Sequence, residues 1–311
     1  MKKLLLFFMS FFTFFAFGQL SEGFEGASFP PTGWVVEDNG IGTASSWTTT
    51  TATGFGWVYQ GARSAMVNRD SGPTSAGLAQ DWLITPQVTI PTNGQVRFYA
   101  RSGSNGEQGS VYKVMLSTTT PDRASFTTTL ATYTELEIAN VPFQQFFVLL
   151  NAYAGQNVYL AFVMEVNNGL GDRWIIDNVN VDQQCLAPTG LTATPFGTSA
   201  DLAWTYTGPA TQFEIEYGPV GFTQGTGTIV SPVSNPHTLT GLSPLTGYTY
   251  YVRALCASDN ISPWSTSQNF TTTALPPVCG GNFVDSGGVS GNYANNQNIT
   301  TVICPTTPGD L

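Results

Sequence analysis

Apolar residues in this chain recur at period two in short runs, and each run is closed by Gly, Asn or Pro. Val96-Arg-Phe-Tyr-Ala100, Val111-Tyr-Lys-Val-Met-Leu116, Val158-Tyr-Leu-Ala-Phe-Val163 and Trp174-Ile-Ile-Asp-Asn-Val179 are representative. β-Branched and aromatic side chains dominate them, which suits a pleated and partly buried surface. Helical periodicity is almost absent. Many short strands punctuated by turn residues predict an all-β protein built of sandwiches.

The first eighteen residues stand outside that pattern. Lys2 and Lys3 precede an apolar run from Leu4 to Phe17, and Ala16-Phe17-Gly18 offers small residues for cleavage before Gln19. These are the parts of a secretory signal peptide. The run falls short of the roughly 20 residues that span a bilayer, and no second such run follows, so no membrane-spanning segment is expected in the mature chain. Removing Lys2 and Lys3 leaves 8 basic against 20 acidic residues, a net charge of −12. That balance excludes nucleic acid and anionic lipid as partners. Only 10% of residues are charged, so Thr, Ser, Gly and Asn carry the polarity. The four cysteines, Cys185, Cys256, Cys279 and Cys304, are read as disulfides in an exported chain.

Two polar, Pro-closed stretches divide the mature chain: Asp182-Gln-Gln-Cys-Leu-Ala-Pro188 and Thr271-Thr-Thr-Ala-Leu-Pro-Pro277. The expected segments are 1–18, 19–184, 185–275 and 276–311. In the third, Ala200-Asp-Leu-Ala-Trp204 and Phe213-Glu-Ile-Glu-Tyr217 alternate. Leu242-Ser-Pro-Leu-Thr-Gly-Tyr248 has the spacing of a tyrosine corner. This segment resembles a fibronectin type III domain, which implies an immunoglobulin-like sandwich. Cys185 lies just before its first strand and Cys256 at the end of the strand from Tyr248, so these two are expected to pair.

The second segment carries Phe24-Glu-Gly26 with Phe29-Pro-Pro-Thr-Gly-Trp34, then Asp81-Trp-Leu-Ile-Thr-Pro86, then Trp174-Ile-Ile-Asp-Asn-Val179. In that order they resemble the cleaved-adhesin or choice-of-anchor J domains, relatives of the MAM group. The resemblance implies a two-sheet jelly roll. From Cys279 a Gly-rich run leads through Asn292-Tyr293 to Val302-Ile-Cys304. This resembles the opening of a CUB domain and implies a Cys279–Cys304 pair. On that reading the chain stops inside a third module; the other reading is a short tail with a stapled loop.

The inventory for catalysis is thin. His237 is the only histidine, so no two-histidine metal site can form. Nucleophile-elbow, zincin and phosphate-loop motifs are absent, and the cysteines lack Cys-x-x-Cys spacing. Glu135/Glu137 and Glu214/Glu216 read as solvated strand faces. The chain is therefore expected not to be an enzyme. The adhesin-like resemblance implies structural calcium, held by Glu25 on the first strand and Asp177 on the last, with Asp38 and, more weakly, Asp81 as further ligands. Otherwise Glu25 and Asp177 are a cap and an Asx-turn residue. Trp47, Trp57 and Tyr59, in a stretch that also holds Phe55, are candidates to stack on sugar.

Together these point to a secreted, non-catalytic adhesion or binding protein at the cell surface, with extracellular protein or carbohydrate as partner. The alternative is a set of accessory modules of a secreted peptidase or other hydrolase. Because the leader abuts the jelly roll, a catalytic domain would then have to follow Leu311. A third reading is a purely structural spacer.

Overall fold

The computed structural model describes residues 20–42, 46–51, 56–69, 77–138, 140–166 and 171–275. The leader, Phe55, Cys279, Cys304 and the CUB-like segment lie outside the described residues. The chain divides into two compact units between Gln184 and Cys185. No described helix is long and apolar enough to cross a membrane.

The first unit holds β1 (Leu20–Glu22), β2 (Val35–Asp38), β3 (Thr48–Thr51), β4 (Arg63–Val67), β5 (Ala79–Ile84), β6 (Val88–Thr89), β7 (Gly94–Ser102), β8 (Ser110–Ser117), β9 (Thr128–Thr134), β10 (Gln144–Leu149), β11 (Asn157–Val166) and β12 (Trp174–Gln183). They form two antiparallel sheets. One runs β10-β7-β12-β4-β3 with β1 added beside β12; the other runs β2-β5-β11-β8-β9 with β6 beside β11.

Phe98, Tyr112, Phe162 and Trp174 fill the space between the sheets. The Trp174 ring lies 5.0 Å from Tyr112, 5.5 Å from Trp47, 5.8 Å from Phe162 and 6.3 Å from Phe98. Such tilted and edge contacts suit ring quadrupoles. β11 reads as an unbroken apolar run because both of its faces are covered. Val158, Leu160, Phe162 and Met164 meet the main core, while Ala161 and Val163 join Trp82, Ile84 and Phe126 on the outer side.

β12 has a different device. Its register against β7 shifts between Asp177 and Asn180, and Asn178 has φ +47°. The extra residue of such a bulge changes the inward–outward parity. Trp174 and Ile176 therefore face the core before it, and Val179 and Val181 after it.

The second unit holds β13 (Thr189–Pro195), β14 (Ser199–Thr205), β15 (Gln212–Pro219), β16 (Thr228–Val233), β17 (His237–Thr240), β18 (Gly247–Ala257), β19 (Asn260–Ile261) and β20 (Gln268–Thr271). Sheet β13-β14-β17 faces β16-β15-β18, whose β18 also pairs with β19 and β20. Leu202, Trp204, Phe213, Ile215, Tyr250 and Val252 form its core. The Ser243 N–H donates to Tyr248 Oη at 3.0 Å, the contact of a tyrosine corner. Both units are β-sandwiches, and the protein is all-β.

Glu135 to Glu137 form a turn after β9 rather than a strand face. Glu135 is buried, accepting from the N–H groups of Gln108 and Ser110. Glu216 on β15 is also buried, and its Oε1 accepts from the Gly225 and Gly227 N–H groups at 2.7 and 2.8 Å. The reading of these positions as solvated faces is corrected: backbone donors from nearby turns take the place of water. Glu214 pairs with Arg253.

Cys185 and Cys256 are joined, with Cα atoms 5.9 Å apart, across 71 residues of sequence. Closing a loop of that length restricts the unfolded chain. Cys185→Ala/Cys256→Ala should cost the second unit about 2–4 kcal/mol. Calorimetry should show its transition moving down while the first unit's transition stays in place.

Candidate functional site

The bulge in β12 aims the buried Asp177 carboxylate at the segment entering β4. Asp177 Oδ2 accepts from the Tyr59 N–H at 3.0 Å, the Gln60 N–H at 3.1 Å and Ser64 Oγ at 2.9 Å; Oδ1 accepts from the Asn178 N–H at 2.8 Å. Burial pushes its carboxyl above the ordinary range, and these four bonds oppose the shift. Glu25 grips the same segment two residues on. Its carboxylate accepts from the Ala62 N–H at 2.9–3.0 Å and from the Arg63 N–H at 3.1 Å. Gly61, at φ +77°, lies so close that a Cβ there would stand 2.2 Å from Glu25 Oε1. Two carboxylates far apart in sequence thus fix one short run, Tyr59–Arg63. Asn178 Nδ2 adds a bond to Gln60 Oε1 at 2.6 Å.

That run presents one aromatic side chain, Tyr59, to a wider group of rings. The Tyr59 ring stacks on Tyr99 of β7, with centroids 3.5 Å apart and planes at 12°, and Phe143 lies 5.9 Å away. Tyr59 is 39% exposed. Arg101 sits 5.8 Å over Phe143 and donates to Gly56 O at 2.7 Å. Register places Gln145 beside Tyr99, Phe147 beside Arg97 and Leu149 beside Gln95. β10 ends its sheet, and Phe147 and Leu149 are 64% and 53% exposed. The outer face here is an aromatic and apolar platform edged by amide side chains. Trp57 is half-buried, with the Arg173 guanidinium 5.0 Å over its ring.

Glu25 and Asp177 hold successive parts of one segment, and Asp38 is not among its partners. Asp38 ends β2 in the other sheet, opposite the buried Asp81, and its Oδ1 accepts from the Gly40 N–H at 2.6 Å. Among the described residues no group of three or more His, Cys, Asp or Glu converges. The two carboxylates and the Gln60 amide oxygen each take a hydrogen bond from or beside Tyr59–Arg63, and oxygens of these kinds are the ones calcium takes.

Trp47 is corrected as a stacking residue. It is buried against Trp174, and its Nε1 donates to Asp81 O at 3.2 Å. His237 is half-buried at the start of β17, and desolvation lowers its pKa. Tyr99, Phe143 and Arg173 escaped the sequence reading, since strand alternation marks a face without saying what covers it.

Residues 18–171 match the Cleaved Adhesin Domain family, and residues 186–271 match the fibronectin type III domain family. The chain carries a cleaved adhesin domain followed by a fibronectin type III domain. Hemagglutinin A of Porphyromonas gingivalis is 32% identical over 164 residues, 46% of this chain and 6% of its own length. A second Hemagglutinin A from that species is 31% identical over 163 residues, again 46% of this chain and 7% of its own. The chain therefore spans under a tenth of the length of these curated relatives. A cleaved adhesin domain of Lys-gingipain from Porphyromonas gingivalis aligns with a TM-score of 0.42 at 24% identity, covering 54% of this chain and 99% of that one.

Both matched families are non-catalytic modules, and the cleaved adhesin domain is an extracellular adhesion-type unit. In it Asp177→Ala would leave four donors without an acceptor, at about 1–3 kcal/mol for each that stays dry. Asp177→Asn keeps one acceptor oxygen. Chemical denaturation should therefore rank stability as wild type, then Asp177→Asn, then Asp177→Ala, with the alanine variant at least about 3 kcal/mol below wild type.

Proposed function

We propose that this chain is a secreted, non-catalytic adhesion protein that holds extracellular ligands, glycan or protein, against a cell surface. The observation carrying the reading is the solvent-facing Tyr59–Tyr99 stack with Phe143 beside it, set on a domain whose relatives bear the name hemagglutinin. Tyr rings offer large, rigid contact area with a polar edge, the properties of binding hot spots. The ring planes and the flanking Gln145 suit the apolar face and hydroxyl rim of a sugar, or the side chains of a protein loop. The fibronectin type III domain acts as a spacer.

Calcium is proposed as a structural ion of the cleaved adhesin domain, held by Glu25 and Asp177. The support is their shared grip on Tyr59–Arg63. When bound, it would neutralise two carboxylates beneath the platform. The residues' own part is to hold the Tyr59–Arg63 backbone in place.

The purified chain should agglutinate erythrocytes or bind on a glycan or matrix-protein array. Tyr59→Ala and Phe143→Ala should each weaken that binding about tenfold, the loss of a hot-spot ring. Full binding by the double variant would overturn the platform. Excess chelator should lower the melting temperature of the cleaved adhesin domain, because a ligand of the folded state stabilises it. An unchanged curve would remove calcium from the account.

A further inference from the structure

Beside Trp57 lies a cavity of about 160 Å³ lined by Asn68, Arg69, Ser104, Asp172 and Arg173, and no apolar side chain is among those five. We infer that this cavity is a binding site for the carboxylate and ring of an acidic sugar, a uronic or sialic acid unit.

Charge supply is the first argument. The chain has only 10 basic residues against 20 acidic ones. Four of the basic residues sit beside acids: Arg97 with Asp182, Lys113 with Glu165, Arg123 with Glu37, and Arg253 with Glu214; Arg63 and Arg101 instead donate to the carbonyl oxygens of Gly26 and Gly56. Arg69 and Arg173 have no acid partner among the described residues. Arg173 spends its Nε–H on Asn68 Oδ1 at 2.6 Å and lies over Trp57. Arg69 makes one long contact, from Nη1 to Gly171 O at 3.4 Å. Among the described residues no hydrogen-bond acceptor is found for their remaining N–H groups, and guanidinium groups match a planar carboxylate with paired bonds.

The one acid in the cavity does not cancel them. Asp172 is buried and already held: Oδ2 accepts from the Ser104 N–H at 2.5 Å and Oδ1 from Ser104 Oγ at 3.3 Å. Its own N–H donates to Ser110 Oγ at 2.8 Å, and its charge acts on the buried Arg101. A Cβ at Gly103 would stand 2.7 Å from Asp172 Oδ1, so the wall is closely fitted. Asp172 gives the site a polar floor and leaves two arginines at its lining.

Size and lining choose the ligand class. The volume matches about five waters at roughly 30 Å³ each, more than a lone carboxylate needs. A wholly polar lining suits a ring bearing hydroxyl groups. The several hydroxyl groups of a sugar ring offer this lining more hydrogen-bond partners than the methylene of an aspartate or glutamate side chain. The inference rests on the adhesion reading for the ligand being a glycan, and adds its charge and its place.

The test is titration calorimetry or ligand-observed NMR on the full chain with galacturonate, glucuronate and N-acetylneuraminate, and with galactose, galactose 6-sulfate and an aspartate-rich peptide as contrasts. At least one carboxylated sugar should bind saturably and weaken as salt is raised, as screening requires, while galactose should not bind. Arg69→Gln and Arg173→Gln should each weaken binding about tenfold or more, the loss of a charged hydrogen bond. Arg69 is exposed, so Arg69→Gln should keep the wild-type melting temperature even if the Trp57 contact makes Arg173→Gln less stable. No saturable binding of any carboxylated sugar overturns the inference. So does preference for the peptide or the sulfated sugar, or binding unaffected by Arg69→Gln. Agglutination that persists while the acidic sugars fail to bind defeats this inference alone and leaves the adhesion reading standing.

Discussion

The surface features of the cleaved adhesin domain depend on one buried carboxylate. Asp177 is removed from water on β12, in the middle of its sheet, and burial there disfavours its charge. Four donors oppose the penalty, and two of them are the backbone N–H groups of Tyr59 and Gln60. A loop held at its own amides cannot slide, so the side chains it carries point in fixed directions. Glu25 repeats the device two residues on, at Ala62 and Arg63. Removing either acid would loosen a backbone that carries Tyr59 on one face, with Trp57 two residues before it.

The bulge that creates this arrangement also solves a packing problem. β12 must bury Trp174 and Ile176 at one end and Val179 and Val181 at the other. Strict alternation cannot do both, since 176 and 179 differ in parity. The shift between Asp177 and Asn180 supplies the missing residue, and the irregular backbone is where the Asp177 carboxylate meets the Tyr59–Gln60 amides. The demands of the core and the shape of the surface thus meet in one local distortion. The fibronectin type III unit also shifts register, in its β13–β14, β15–β16 and β18–β19 pairings, and adds a disulfide that closes 71 residues.

Much of this architecture was legible in the sequence because it rests on local rules. Period-two runs gave the strands Gly94–Ser102, Ser110–Ser117, Asn157–Val166 and Trp174–Gln183. The Leu242 to Tyr248 spacing gave the tyrosine corner, whose Ser243–Tyr248 bond spans five residues. Long-range coverage was not legible. Trp47 and Tyr59 look alike in a Thr- and Gly-rich stretch, yet Trp47 meets Trp174 from the far end of the domain and Tyr59 stays outside on Tyr99. Glu216 reads as an exposed strand glutamate until Gly225 and Gly227 bring amide donors to it. Asp38 shared the acidic character of Glu25 and Asp177 but belongs to the other sheet.

The same distinction explains why the arginines went unremarked. A basic residue in a sequence says nothing about its neighbours, and Arg69 and Arg173 stand 104 positions apart. They acquire meaning only when β12 pairs with β4, at Trp174–Val67, and brings the residues just outside those strand ends to one place. What sets them apart is that both line one polar cavity. The Gly56–Arg63 segment then joins two surfaces of different chemistry: Trp57 backs the guanidinium of Arg173, and Tyr59 extends the platform over β7 and β10. The carboxylate grip of Asp177 and Glu25 on Tyr59–Arg63 fixes the backbone from which both surfaces extend.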